Sequence, residues 1–248
     1  FEAKKTLFTP AHSRCGVVCI DDEWGLRLAQ ESEVPVTTVS VFSHREADWT
    51  VRRINFDRAI PAVTFDLVTP QGDERLIRMP MLGEVNVQNA VVALVAALQL
   101  GCEFEAAVSA LEGAEQIPGR MTSVNPDPGA QPLVIVDFAH TPEGLDWTLK
   151  SVRELTRGKL VLVFGTDGDR DATKREPLAE IAAQLADVLW VTDENPRTED
   201  ASSIRQQLLN GIRRVRPDLH DVTEVTTCRR DAVRQAILAA DEGDIIVI

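Results

Sequence analysis

The sequence contains no cysteine pair with the spacing of a metal or redox motif. Its four cysteines are Cys15, Cys19, Cys102 and Cys228, and no two of them form a Cys-x-x-Cys pair. Cys15 and Cys19 have no second pair of ligands nearby, which argues against a zinc site. We therefore expect free thiols in a reducing compartment and a cytoplasmic protein.

Basic residues are scarce relative to acidic ones. The 248 residues include 26 lysines and arginines against 39 aspartates and glutamates, which gives a net charge of −13. This balance argues against a surface that binds nucleic acid or an anionic membrane. No apolar run approaches the length of a bilayer span, and no signal peptide opens the chain, so we expect no membrane insertion.

Two common glycine-rich nucleotide motifs are also missing. The loop 165–171, Gly-Thr-Asp-Gly-Asp-Arg-Asp, lacks the Gly-Lys-[Ser/Thr] ending of a Walker A loop, and it lacks GxGxxG, so NAD is not supported. Asp167, Asp169 and Arg170 would suit a zwitterionic ligand, with the acids toward an ammonium and the arginine toward a carboxylate. Charges of a solvated loop are the alternative.

The first part of the chain, residues 1–114, combines helices with an antiparallel pattern. The pattern predicts a helix end at 1–8, strands at 16–20, 36–41, 49–56, 62–69 and 74–81, and helices at 25–32, 86–100 and 103–111. The strands between 49 and 81 indicate an antiparallel meander. Asn86 is expected to cap the long helix that follows.

The second part, residues 115–248, alternates regularly between strand and helix after a Gly- and Pro-containing boundary at 113–119. The pattern predicts strands at 133–138, 159–164, 188–192, 222–225 and 244–248, and helices at 142–155, 174–186, 201–215 and 229–240. Strands joined by helical crossovers predict a doubly wound, mostly parallel sheet and an α/β fold.

Three strands of the second part end in polar loops, at 137–142, 165–171 and 193–197. Parallel strands end at the same edge of a sheet, which is where open α/β sheets bind ligands. In the third loop Arg197 offers a planar fork suited to a carboxylate or phosphate. A plain strand-to-helix turn, with Thr198 or Asp200 as the helix cap, is the alternative.

Further candidates lie outside that loop. Asp137 suits a ribose diol or is a helix N-terminal acid, and His140 contacts a phosphate or is an ordinary loop histidine. Asn86 and Asn89, one helical turn apart, could read a nucleobase edge. Arg120 could close over a nucleotide, and a solvated arginine is equally consistent with the local sequence.

Together, these motifs resemble the Mur ligases and appear in the order of that family. They are Glu-Ala-Lys-Lys-Thr-Leu-Phe around Lys4, the Asn86/Asn89 helix, Pro-Gly-Arg-Met, Asp-Phe-Ala-His-Thr-Pro, Phe-Gly-Thr-Asp-Gly-Asp-Arg-Asp and Asp-Glu-Asn-Pro-Arg. The chain looks like the MurE type, which adds the third residue of the peptidoglycan stem peptide to UDP-N-acetylmuramoyl-L-Ala-D-Glu. The resemblance covers nearly the whole chain.

The resemblance implies a domain organisation. Residues 1–114 are similar to the C-terminal part of the central ATPase domain, and residues 115–248 are similar to a truncated Rossmann-like, amino-acid-binding ligase domain. The P-loop of the family would lie upstream, and its Gly-Lys-Gly-His-Glu motif would lie downstream. We therefore expect the isolated 248 residues to be inactive, and a monomeric intact enzyme.

The resemblance also implies an ATP- and Mg²⁺-dependent ligation through an acyl phosphate, which the amine of a diamino acid attacks. Lys4 resembles the family's carbamylated, magnesium-binding lysine, and both it and His140 are predicted catalytic residues. The implied nucleotide-binding residues are Asn86, Asn89, Arg120 and Asp137, and the implied amino-acid-binding residues are Arg170, Asp193, Glu194, Asn195 and Arg197.

Departures from the family pattern bear on the amino acid. Asp167 precedes Gly168 where the family often has a second glycine, Glu194 replaces an aspartate, and Phe138 replaces a common tyrosine. Arg197 favours meso-diaminopimelate, whose distal carboxylate it can pair with. Asp167 could favour the distal ammonium of L-lysine or L-ornithine instead.

Three other functions remain open from the sequence. A folylpolyglutamate-synthase-like ligase would use the same two domains on another acceptor, although the His-Thr-Pro and Asn-Pro-Arg loops argue against it. A non-catalytic nucleotide-binding module is the second alternative. The third is a metal phosphatase that uses Asp167, Asp169 and Asp171.

Overall fold

A computed structural model of the chain describes residues 1–43, 45–57, 62–125 and 131–248. The chain divides into two compact units, Phe1–Gln116 and Ile117–Ile248, and this division falls inside the boundary predicted at 113–119. Each unit contains its own β-sheet. In the described ranges, no helix is both long and apolar enough to cross a bilayer.

The first unit is built on a five-stranded mixed sheet in the order β1-β2-β3-β4-β5. Its strands are β1 (Gly16–Cys19), β2 (Val36–Ser40), β3 (Trp49–Asp57), β4 (Ala62–Val68) and β5 (Glu74–Met79), and its α-helices are α1 (Glu2–Lys5), α2 (Glu23–Glu31), α3 (Glu84–Gln99) and α4 (Phe104–Glu112). Strands β1 to β3 pair in parallel, and β3 to β5 pair antiparallel. The predicted antiparallel meander is therefore confirmed.

Helix α3 covers this sheet with its apolar stripe. Val87 and Val91 of α3 are fully buried and belong to the same core cluster as Phe65 and Leu67 of β4. Residues at helical spacing meet residues that point to one side of the sheet, which is the arrangement that both periodicities require.

The start of α3 differs from the sequence prediction. The helix begins at Glu84, after Gly83 in a left-handed conformation with φ of 89°, so Asn86 already lies in the first turn. The Asn86 side chain is buried and its Nδ2 donates a hydrogen bond to the carbonyl oxygen of Leu82 at 2.6 Å. The prediction that Asn86 caps the helix was wrong, because the glycine permits a turn that starts the helix two residues earlier.

The second unit contains a six-stranded sheet in the order β10-β9-β8-β11-β7-β6. Its strands are β6 (Thr122–Ser123), β7 (Leu133–Val136), β8 (Leu160–Phe164), β9 (Val188–Val191), β10 (Val222–Glu224) and β11 (Ile245–Val247), and its α-helices are α5 (Pro142–Leu155), α6 (Arg175–Leu185), α7 (Ala201–Val215) and α8 (Arg229–Ala239). All pairs are parallel except β6 with β7. The short β6 was not predicted.

Both faces of this sheet are covered by helices. Val161 and Val163 of β8 pack in one cluster with Ala232 and Ala236 of α8. The alternate residues of β8, including the fully buried Leu160, point to the opposite face, since successive side chains of a strand alternate. The predicted doubly wound α/β architecture is confirmed.

Candidate functional site at the strand ends of the second unit

The carboxyl edge of the second sheet gathers the polar loops. Strands β8 and β9 are neighbours, so the loop 165–171 lies beside the loop 193–199. Strand β11 separates β7 from β8, which sets the loop 137–141 one strand further away. The sequence predicted one shared edge for the three loops, and the parallel pairing provides it.

Hydrogen bonds join the loops after β8 and β9. The amide of Gly168 donates to the carbonyl oxygen of Asn195 at 2.8 Å, and the hydroxyl of Thr198 donates to the Asp169 carboxylate at 2.8 Å. A Cβ atom on Gly168 would lie 1.9 Å from the carbonyl oxygen of Pro196. The contact between the loops therefore requires glycine at position 168.

Three predicted amino-acid-binding residues present accessible side chains on these loops. Arg170, Asn195 and Arg197 are all exposed. Arg197 has a φ of 51°, and its Nη2 lies 3.5 Å from Oδ2 of Asp167. Asp167, which departs from the family pattern, is thus the acid that faces this guanidinium.

Asp193 and Glu194 differ in their surroundings although they are adjacent. Asp193 forms an ion pair with Arg205, whose side chain is 8% exposed and which also pairs with Glu224 at 2.8 Å. Asp193 therefore has a protein partner already.

Asp200, and not Thr198, caps α7 by accepting a hydrogen bond from the amide of Ser203.

Glu194 lines a cleft with Asp137, Phe138, His140 and Arg229. Partial desolvation at this cleft raises the pKa of Glu194 although the residue is exposed, and the charge of Arg229 opposes that rise. A carboxylate with a raised pKa that keeps solvent access is the kind of group that a cationic ligand would stabilise. Arg229 was not among the predicted residues, because its 35-residue separation from Glu194 leaves no local signal.

The ring of Phe138, in the loop after β7, has two predicted site residues beside it: Arg120, predicted to bind the nucleotide, and His140, predicted to be catalytic. The guanidinium of Arg120 lies 5.2 Å from the ring centroid of Phe138, and the ring of His140 lies 5.0 Å from the same ring. The Nδ1 atom of His140 is 2.9 Å from the carbonyl oxygen of Phe138, which can only accept, so Nδ1 carries the proton. The Nε2 atom points away from that bond.

The carboxylate of Asp137 is hydrogen-bonded to other residues of the second unit. It accepts hydrogen bonds from the amide of Met121 at 2.9 Å, from the amide of Ala139 at 3.0 Å and from the hydroxyl of Thr148 at 2.9 Å. These contacts tie Arg120-Met121 to the loop that carries His140. Asp137 thus orders the neighbours of the Phe138 ring.

In the first unit, the two adjacent lysines of α1 have different environments. Lys5 pairs with Glu31 at 2.6 Å, and this hydrogen bond raises the pKa of Lys5. Lys4 is exposed, and its side chain has no hydrogen-bond or ion-pair partner within the described residues. Carbamylation requires an amine free of such a pair, so Lys4 fits this modification better than Lys5.

Helix α3 presents the two predicted adenine-binding asparagines differently. Asn89 is exposed, whereas Asn86 is buried with its amide directed to Leu82. Gln88 on the same helix donates hydrogen bonds to Cys19 Sγ at 3.0 Å and to Asp21 Oδ2 at 3.2 Å. The structure thus leaves one asparagine accessible and anchors the helix to the end of β1.

A metal ion would need ligands beyond the side chains that the described residues group together. Over the part of the chain that the structure describes, no three His, Cys, Asp or Glu side chains are grouped to hold one. Magnesium is usually bound through one or two protein oxygens together with phosphates and water. Lys4 after carbamylation fits that pattern as a single oxygen ligand.

Comparison with protein families agrees with the two units. Residues 119–248 match the family described as "Mur ligase, glutamate ligase domain", which is more than half of the chain. Residues 1–97 match the "Mur ligase middle domain". The chain belongs to the Mur ligase family.

Individual members of the Mur ligase family match along the full chain. A UDP-N-acetylmuramyl-tripeptide synthetase of Leifsonia xyli is 41% identical over 253 residues, which cover 100% of this chain and 48% of that protein. A UDP-N-acetylmuramoyl-L-alanyl-D-glutamate–2,6-diaminopimelate ligase of Streptomyces coelicolor is 36% identical over 248 residues, again 100% and 48%. The chain therefore spans about half the length of these Mur ligases.

Solved structures resemble the chain as well. A UDP-N-acetylmuramoyl-L-alanyl-D-glutamate–2,6-diaminopimelate ligase superposes with a TM-score of 0.62 at 32% identity, covering 100% of this chain and 50% of that one. A folylpolyglutamate synthase of Mycobacterium tuberculosis superposes with a TM-score of 0.73 at 20% identity, covering 99% and 55%. The second likeness shows a shared fold.

Proposed function

We propose that the chain is part of an ATP-dependent, amide-bond-forming ligase of peptidoglycan precursor synthesis. The acceptor is UDP-N-acetylmuramoyl-L-Ala-D-Glu, and the added group is a diamino acid. The observation that carries the proposal is the pair of linked loops after β8 and β9, which present Arg170, Asn195 and Arg197 together. The name of the Streptomyces coelicolor relative, a UDP-N-acetylmuramoyl-L-alanyl-D-glutamate–2,6-diaminopimelate ligase, supports the choice of substrates.

Within that ligase, the unit Phe1–Gln116 would be the end of the central ATPase domain and Ile117–Ile248 the amino-acid-binding domain. The intact enzyme is expected to be a cytoplasmic monomer. Lys4, as a carbamate, would provide one oxygen to Mg²⁺, which supplies charge neutralisation at the phosphates.

The nucleotide-facing residues follow from their exposure. Arg120 and His140 are accessible beside the Phe138 ring and would meet phosphate oxygens, with Arg120 as a permanent cation. Asn89 would face the adenine, while the buried Asn86 would shape the helix that carries it. Asp137 would reach the ribose with the acceptor capacity left beyond its three internal bonds.

The amino-acid subsite is expected to hold a zwitterion. Arg170 and Arg197 would bind carboxylates, and Glu194 with Asp167 would face ammonium groups. Two arginines favour meso-diaminopimelate, which carries one carboxylate more than L-lysine or L-ornithine. Asp193 would act on this subsite through its ion pair with Arg205.

The first experiment is phosphate release by the intact ligase that carries this chain. ATP, Mg²⁺ and UDP-N-acetylmuramoyl-L-Ala-D-Glu are supplied with meso-diaminopimelate, L-lysine or L-ornithine, and a parallel reaction receives a folate and L-glutamate. Turnover with meso-diaminopimelate is expected. Turnover with lysine or ornithine would reassign the amino acid, and turnover with the folate alone would replace the proposal by the folylpolyglutamate-synthase reading.

Arg197→Ala tests the subsite. Loss of a charge-assisted hydrogen bond costs about 1.5–3 kcal/mol, so the KM for meso-diaminopimelate should rise about tenfold to a hundredfold while the KM for ATP stays constant. The control is Arg153→Ala, which removes an arginine paired with Asp187 at 2.8 Å on another part of the unit. An unchanged KM in Arg197→Ala would remove this residue from the subsite.

A further inference from the structure

Arg175 is a buried charge at the base of the two linked loops. It is the first residue of α6, and its side chain is 1% exposed. Its Nη1 and Nη2 atoms donate hydrogen bonds to Oε2 and Oε1 of Glu199 at 2.8 and 2.9 Å, which makes a bidentate ion pair. A bidentate pair fixes the relative orientation of the two side chains and also binds them strongly.

The same two residues contact both loops. Nη2 of Arg175 donates to the carbonyl oxygen of Asp167 at 3.0 Å, in the loop after β8. Glu199, in the loop after β9, accepts the amide of Asp169 at 2.6 Å. The hydrogen bond from Arg175 lowers the pKa of Glu199, so the pair is charged at neutral pH. Arg175, at the start of α6, therefore contacts both loops, and Glu199 joins its own loop to the loop after β8.

The contacts bracket the residues that the proposed subsite uses. Asp167 and Asp169 flank Gly168 and precede Arg170, and Glu199 follows Arg197 by two residues. Asp169 and Arg197 both have left-handed backbones, with φ of 53° and 51°. Non-glycine residues hold this conformation when neighbouring contacts impose it.

We propose that Arg175 and Glu199 form a positioning pair that sets the spacing of Arg170 and Arg197 and thereby the affinity for the incoming amino acid. The inference rests on the proposed function. Arg175 is buried below the loops, and both carboxylate oxygens of Glu199 already accept hydrogen bonds from Arg175, with the amide of Asp169 as a further donor to Oε1. The pair acts by fixing the loops that carry two exposed binding arginines.

A lysine at position 175 keeps the positive charge but cannot form the bidentate ion pair with Glu199. In the intact ligase, Arg175→Lys and Glu199→Gln should each raise the KM for the amino acid about tenfold or more, because small displacements of binding groups have large effects. The KM for ATP and the kcat at saturating amino acid should change by less than about threefold.

Arg216→Lys is the matched control. Arg216 is also a buried arginine of the second unit, with 9% exposure, but it donates to the carbonyl oxygens of Ala183 and Asp187, away from the loops. This variant should lower the melting temperature about as much as Arg175→Lys does. Its KM for the amino acid should stay that of the unmodified ligase.

A coupled test separates positioning from general weakening. If the two residues act as one unit, the double variant Arg175→Lys/Glu199→Gln should raise the KM little more than either single change. Equal KM increases in Arg175→Lys and Arg216→Lys, or no increase in Arg175→Lys, would overturn the positioning role. Absence of ligation by the unmodified enzyme with every amino acid would instead overturn the proposed function.

Discussion

Asp21 follows β1 of the first unit and Glu194 follows β9 of the second, so both carboxylates lie beyond the carboxyl ends of parallel strands. Around Asp21, Oδ1 accepts from the hydroxyls of Ser40 and Ser43 at 2.9 and 3.0 Å and from the amides of Phe42 and Ser43 at 3.1 Å. The chain itself thus satisfies this carboxylate.

Glu194 has the opposite environment. Partial desolvation raises the pKa of Glu194, whereas at Asp21 the effect of burial is outweighed by backbone hydrogen bonds from Ser43 and Val41, which lower the pKa to about 2. Two acids at equivalent places in two sheets therefore have different uses. Topology brings polar residues to an edge, but a ligand site also needs groups that the fold leaves unsatisfied.

The largest effect is expected from a substitution at Gly168, in the loop that lies beside the loop of Glu194. Gly168→Ala places a Cβ 1.9 Å from the carbonyl oxygen of Pro196, so the loops after β8 and β9 must separate. We expect kcat/KM for the amino acid to fall about a hundredfold. Steady-state kinetics of the intact ligase with varied meso-diaminopimelate measures this fall.

Gly72→Ala is the control for that substitution. Gly72 lies in the turn between β4 and β5 at φ of 89°, and a Cβ there meets nothing within 4 Å. The backbone strain should cost about 1–2 kcal/mol of stability and leave kcat/KM unchanged. A loss of ligation in Gly72→Ala equal to that in Gly168→Ala would show that loop contact is not the cause.

A smaller effect, on the stability of the fold, is expected at Asp21. Asp21→Asn removes a charged acceptor and should lower the free energy of unfolding by about 2 kcal/mol at pH 7. Because the folded pKa of about 2 lies below the ordinary value of 3.8, the stabilisation is present above pH 4 and is lost as the pH falls toward 2. Denaturation at pH 7 and at pH 2.5 measures the difference, which should shrink in acid. A stability difference between the two proteins that is constant with pH would contradict a stabilising role of the Asp21 charge.

The smallest effect is expected at Glu194, and with the opposite sign. Its folded pKa is raised, so the folded protein binds the proton more tightly and ionisation above pH 4 costs stability. Glu194→Gln should therefore stabilise the protein only slightly, because the side chain is exposed and solvent screens its charge, and the gain should be larger at pH 7 than at pH 4. Thermal unfolding at both pH values tests this. A destabilising effect that grows with pH would place Glu194 with Asp21 as a structural acid.

Much of the second unit could be predicted from its sequence, for a physical reason. Buried parallel strands such as Leu160–Phe164 are continuous apolar runs, and α7 over Ala201–Val215 has a clear amphipathic repeat with Asp200 as its cap. The two-residue β6 carries no such pattern and was missed. In α3, Asn86 resembled a cap because local sequence cannot show that Gly83 starts the helix.

The sequence by itself determined the order of elements, the α/β class of the second unit and the loops that carry Arg170, Asn195 and Arg197, because periodicity and turn residues are local properties. Only the tertiary structure decided which charges serve the fold. Arg175 pairs with Glu199 across 23 intervening residues, and Asp193 with Arg205 rather than with solvent. Such partners depend on strand order and burial. Buried charges must be paired within the protein, so only a charged side chain without such a partner is available to bind a ligand.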